Sequence, residues 1–183
     1  MTYYGAKEMA DSFRTVRKNT IQIAEDIPES KYDFRAAPDT RSVAQTLTHI
    51  AITPGIQLHV HKNKLDDIMK VNFQEFFQQM TAEEATPRTK EEIITLLKTN
   101  GDTFAMYIET LPDSFLAEPV SQPPGGEKPT RSRFEMLLGA KEHEMHHRAQ
   151  LMVLQRMVGV VPHLTRQMQQ RMAQMQANAT QAR

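Results

Sequence analysis

The chain is 183 residues long, 39% hydrophobic and 24% charged, with 22 basic and 22 acidic side chains and no cysteine. A single domain of this size buries about 70% of the surface its unfolded chain exposes, enough for its own core. Zero net charge argues against a general nucleic-acid binder, and the lack of cysteine excludes disulfides, thiolate ligands and a cysteine nucleophile. In the first stretch, Met9, Phe13, Val16, Thr20, Ile23 and Ile27 recur at spacings of four and three, one stripe of an amphipathic helix that Pro28 stops. Met1–Asp11 carries charge early and lacks the apolar run of a signal peptide. No stretch reaches the ~18 apolar residues of a membrane span. A soluble cytoplasmic protein, with no membrane partner, is the expectation.

Glu29–Arg41, punctuated by Pro38, reads as a loop. A second helix starts near Ser42, with Gln45 completing a capping box and Val43, Leu47 and Ile50 as its stripe. Pro54 and Gly55 interrupt it, and helical character resumes through Leu58 and Leu65. Thr81–Pro87 reads as a polar linker. A third helix starts near Thr89, capped with Glu92, and its stripe is Ile94, Leu97, Gly101, Phe104, Ile108 and Leu111. Pro112–Pro129 holds half of the ten prolines and reads as a long loop, the kind that serves as a lid. The fourth helix starts near Ser132, with Glu135 as its capping partner. Met136, Ala140, His143, His147, Leu151, Leu154 and Val158 form its stripe, and Gly159 and Pro162 end it. A fifth helix, Leu164–Ala182, carries Met168, Met172 and Met175 at helical spacing, as for docking or a dimer interface. No acidic residue follows Glu144, so the last 39 residues carry +5 and the first 144 carry −5. The sum is an all-α antiparallel four-helix bundle over residues 1–163, with a helical extension over 164–183.

The chemistry concentrates on the fourth helix. Residues one turn apart lie about 40° apart on one face, so His143 and His147 project together from the apolar stripe. Two buried neutral imidazoles without partners cost on the order of 1–3 kcal/mol per unmade hydrogen bond, and one metal ion satisfies both. His143, Glu144 and His147 also spell H-E-x-x-H, the motif of a zinc protease with Glu144 as base. The context fails: no acidic residue follows to serve as a ligand, and position 153 is Val153 where a third histidine would stand. A third ligand must come from upstream, and spacing alone leaves His49, His59 and His61 open. Gln150 and Glu144 are the candidates for orienting a ligand or a bound water; Glu144 is equally placed to pair with Arg148 at i+4.

Two segments carry a resemblance: Ser42-Val43-Ala44-Gln45-Thr46-Leu47-Thr48-His49-Ile50 and His143-Glu144-Met145-His146-His147-Arg148-Ala149-Gln150-Leu151. With Pro28–Arg35 and Arg156–Pro162, they make residues 6–162 resemble the DinB family, also called DinB/YfiT-like metalloenzymes; Ala149 departs from the glycine often found there. The resemblance implies a four-helix bundle holding one divalent metal by His49, His143 and His147. Zinc, nickel, copper or iron suits such ligands, and open positions remain for water or substrate. It further implies an enzyme of the thiol-S-transferase type, acting on a small molecule with a low-molecular-weight thiol such as bacillithiol or mycothiol, and a homodimer. Two alternatives stand beside it: hydrolysis with Glu144 as base, and a non-catalytic dimeric stress-response module.

Overall fold

The computed structural model describes residues 4–181. The first helix, α1 (Ala6–Asp26), buries Met9, Phe13, Val16, Thr20 and Ile23 along one face. Ile27, fully buried, turns the chain into extended backbone ahead of Pro28. The next helix, α2 (Val43–Ile52), opens on a reciprocal cap: Ser42 accepts from the Gln45 amide, and the Gln45 side chain accepts from the Ser42 amide. The chain breaks at Thr53, and Pro54, which has no amide proton to donate, opens α3 (Pro54–Lys62). Helix stops at Lys62, short of the expected Leu65, because Lys64 takes a left-handed turn at φ 50°.

The expected linker is helix instead. Residues 81–85 form the end of α4 (Phe73–Ala85), capped by Asn72. None of its side chains is fully buried, so a stripe was not there to be read. Thr89 and Glu92 cap α5 (Lys90–Glu109), whose buried face runs Ile93, Leu97, Gly101, Phe104 and Ile108; Ile93 replaces the expected Ile94. The proline-rich segment is also more ordered than expected. It begins with the short α6 (Asp113–Leu116) and continues into β1 (Pro119–Ser121), which pairs antiparallel with β2 (Thr130–Ser132). Strands of three residues are too short to show an alternation of period two. Ser132 and Glu135 cap α7 (Arg133–Met157). Gly159 adopts φ 83°, and α8 (His163–Gln181) follows; Ala182, in the expected last helix, lies outside the described residues.

Helices α1, α2, α5 and α7 make the four-helix bundle. Ile23, Leu47, Leu97 and Leu151 share one apolar cluster; Met9, Phe13, Phe104, Ile108 and Leu137 share the other. The end of α1 therefore meets the starts of α2 and α5 and the end of α7. It follows that α1 and α7 run one way and α2 and α5 the other. The parallel α2–α5 pair requires the long crossover over residues 53–89, which carries α3 and α4. At the α1–α5 crossing a Cβ on Gly101 would sit 2.8 Å from Arg17 Cγ, so glycine is what lets Arg17 pass beneath α5. A third cluster, Val60, Ile68, Val71, Val120 and Met136, seats the hairpin and the crossover on the bundle.

Candidate metal centre

Two bundle helices bring three imidazoles together. His143 and His147 are one turn apart on α7, and His49 faces them from α2. His143 Nε2 lies 3.1 Å from His49 Nε2 and 3.1 Å from His147 Nε2. The ligand atoms of all three lie within 4.8 Å of one another. Two other side chains fix which nitrogens carry protons. His49 Nδ1 lies 2.7 Å from Glu84 Oε1, and a carboxylate only accepts, so Nδ1 donates and Nε2 keeps a lone pair. His147 Nδ1 donates in the same way to Gln150 Oε1 at 2.8 Å. The Gln150 amide nitrogen, 3.1 Å from His146 Nε2, supplies the other end of that bond network.

His143 Nε2 therefore faces two lone pairs and has at most one proton. At most one of the two contacts can then be a hydrogen bond, and the other sets a lone pair against a nitrogen with no proton between them, unless a cation lies there. Nitrogens bound to one ion at about 2.1 Å lie about 3.0–3.4 Å apart for right-angled to tetrahedral arrangements. The observed 3.1 Å falls inside that range. Burial holds the rings neutral: it lowers the proton affinity of His49, His143 and His147, to a pKa of about 4 for His143. The Arg41 charge depresses all three further, and Glu84 and Gln150 oppose the fall at His49 and His147. Neutral imidazoles in this disposition fit a divalent ion.

Glu84 is the residue that sequence reasoning missed. It sits on α4, in the segment expected to be linker, and is itself held by Arg41 Nε at 2.6 Å. Arg41, Glu84 and His49 thus form a chain from solvent to the imidazole cluster. The sequence signal was faint: two adjacent glutamates at the end of a Phe- and Gln-rich stretch. Gln150 lies where it touches His147, whereas Glu144 lies elsewhere. Glu144 is buried and faces α1, where Arg17 Nε is 3.0 Å from each of its oxygens and Thr20 donates to Oε1 at 2.7 Å. Arg17 also donates to the carbonyls of Leu97 and Ile50. The expected Arg148 pairing is replaced by this one, and Glu144 lines neither cavity beside the imidazoles. His59 and His61 lie on α3 away from the cluster; His61 is buried against Arg133 and Gln57.

Two cavities adjoin the cluster. One, of about 790 Å³, is lined by His147, Gln150, Glu84, Arg41 and Arg35 among others. The other, of about 310 Å³, meets His143 and is walled by Ile56, Ile68, Phe73 and Met136 with a few polar groups. Among the described residues, no helix is long and apolar enough to cross a membrane.

A four-helix bundle with a three-histidine cluster, His49 and His147 buried and His143 half-buried, beside an open cleft defines a class of bundle proteins suited to holding one metal. The chain belongs to the DinB superfamily, whose model matches residues 12–151. Solved structures agree on the fold. A DinB-like protein from Bacillus subtilis is 22% identical, with 83% of this chain and 92% of that one covered at a TM-score of 0.61. YfiT from Bacillus subtilis, described as a probable metal-dependent hydrolase with an unusual four-helix bundle topology, is 15% identical. There the match covers 87% of this chain and 91% of that one, at 0.67. The mycothiol-dependent maleylpyruvate isomerase is 11% identical, with 82% and 63% covered at 0.64. No curated protein matches.

Proposed function

We propose that this chain is an enzyme of the thiol-S-transferase type that holds one divalent metal ion on His49, His143 and His147 and acts on a small molecule. The observation that carries the reading is the convergence of three neutral Nε2 atoms, two with lone pairs turned on the third. Three protein ligands leave positions for a substrate, as catalytic rather than structural sites do. Zinc, nickel or iron, once bound, would supply positive charge that makes a thiol more acidic and a substrate oxygen more electrophilic. Glu84 and Gln150 keep the protons on the outer nitrogens, so the inner ones stay free to bind. The thiol is suggested by the likeness to an isomerase described as mycothiol-dependent, and a reducing, cytoplasmic setting goes with it.

The test is metal content by mass spectrometry on protein purified without a histidine tag, followed by turnover with thiols and electrophiles. About one ion per chain, lost in His49→Ala and in His143→Ala, is the expected result. Failure to bind metal after reconstitution overturns the site. Metal binding with no thiol-dependent turnover overturns the transferase chemistry. Turnover of esters or amides by water would instead select hydrolysis, the activity in the description of YfiT. Metal that only raises stability would select the non-catalytic module. A homodimer joined through the exposed Met168, Met172 and Met175 face of α8 belongs to the same proposal; a monomeric mass by light scattering overturns it.

A further inference from the structure

The larger cavity has a charged wall whose donors the metal reading leaves unused. Arg41 spends Nε and one terminal nitrogen on Glu84, at 2.6 and 3.4 Å, and its other terminal nitrogen has no partner among the described residues. Arg35 spends one terminal nitrogen on the Thr40 carbonyl, leaving Nε and the other terminal nitrogen without partners there. Both arginines are exposed and line the cleft that His147 and Gln150 close on its inner side. Arg41 lies nearest the imidazoles, one carboxylate away from His49. Two acids share the wall. Glu84 is occupied by Arg41 and His49, and Asp39 stands exposed. With a divalent ion on the histidines, the two arginines and the ion outweigh the two acids by two positive charges. The smaller cavity offers one cation, Arg131, against Glu135, and is otherwise largely apolar.

We propose that the substrate or cosubstrate is a small organic acid, whose carboxylate is held by Arg41 and Arg35 while its sulfur or oxygen faces the three imidazoles. The inference rests on the reading of those imidazoles as a metal site. A guanidinium fork matches a carboxylate in geometry as well as charge, and two forks on one wall can share it. The carboxylate would then serve as the address and the cluster as the place of reaction.

The test uses the full chain loaded with cobalt(II), whose visible spectrum reports sulfur ligation. The probes are 3-mercaptopropionate, which carries a carboxylate, and 2-mercaptoethanol, which does not. The expected result is about tenfold tighter binding of the acid, as a charge-assisted hydrogen bond implies. That preference falls to near unity in Arg35→Gln and in Arg41→Gln. It persists in Lys98→Gln, on a different face between α1 and α5. Equal affinity for the two thiols in the unmodified protein overturns the proposal, as does no response to either, or a preference that survives both arginine changes. Failure to take up cobalt overturns the metal reading itself, which separates the two.

Discussion

Removing the charge of Glu144 would leave Arg17, 4% exposed, with its guanidinium facing an amide inside the bundle. Breaking a buried ion pair by neutralising one partner costs about 3–5 kcal/mol. Glu144→Gln is therefore expected to lose about 3 kcal/mol in urea unfolding while the folded protein still binds metal at full stoichiometry. Loss of metal without loss of stability would return Glu144 to the site. Glu84→Gln should do the reverse. The side chain can still accept from His49 Nδ1, but the charge that strengthens that bond is gone, so metal affinity should fall about tenfold. Competition with a chelator dye measures it, and unchanged affinity would make Glu84 a surface partner of Arg41 alone. His61 tests the bundle's response to acid. Burial and the Arg133 charge lower its pKa from 6.5 to about 4. The unfolded chain then binds a proton below pH 6.5 that the folded chain refuses until about pH 4. Stability is full above pH 6.5 and falls as pH drops toward 4, by about 3 kcal/mol in total at ~1.4 kcal/mol per pH unit. Urea midpoints at pH 7 and pH 4.5 should diverge in the native chain, and the gap should narrow in His61→Gln, the remainder belonging to the other histidines whose proton affinity burial lowers; an unchanged gap would clear His61 of the effect.

At the scale of elements, α4 is the one with most at stake. It buries no side chain fully, and its Phe73 and Phe77 rings stack 5.9 Å apart near the surface. Its ties to the bundle are Phe73, half-buried against the third apolar cluster, and Glu84, which reaches His49 and Arg41. An element held by few apolar contacts opens locally far more often than the core. A metal on His49 would fix the imidazole that Glu84 grips, so amide exchange in residues 73–85 is expected to slow on zinc addition while that of α1 stays unchanged. Equal protection with and without zinc would detach α4 from the centre. The same weakness explains what could be read in advance. Capping boxes at Ser42, Thr89 and Ser132 place helix starts because each is a local exchange of hydrogen bonds. The His143–His147 pairing is legible for the same reason: it lies within one turn of one helix. His49 is not, since its partners stand 94 and 98 positions away, and only the resemblance singled it out. Glu84 and the Arg17–Glu144 pair were invisible because they depend on how elements cross. The two three-residue strands offered no period to read.

For the whole molecule, the bundle and its centre should stabilise one another. The clustered nitrogens come from α2 and α7, which are distant in sequence and meet only in the folded bundle, so an unfolded chain has no site of comparable affinity. Binding to the folded state alone adds RT ln(1 + [M]/Kd), about 2.7 kcal/mol at a hundredfold excess over Kd. For a chain of this length each kcal/mol moves the melting temperature by about 2–4 °C, so zinc should raise it by about 5–11 °C. The dependence on metal is diagnostic. A specific centre gives a melting temperature that keeps climbing with the logarithm of free zinc, and His143→Ala abolishes the climb. Weak binding to scattered surface carboxylates and histidines also serves the unfolded chain and gives a flat or falling curve. A flat curve in the native protein, with the His143→Ala variant indistinguishable from it, would leave the three imidazoles as neutral core side chains. The contact of His143 that has no proton would then stand as an unmade hydrogen bond, at a cost of about 1–3 kcal/mol.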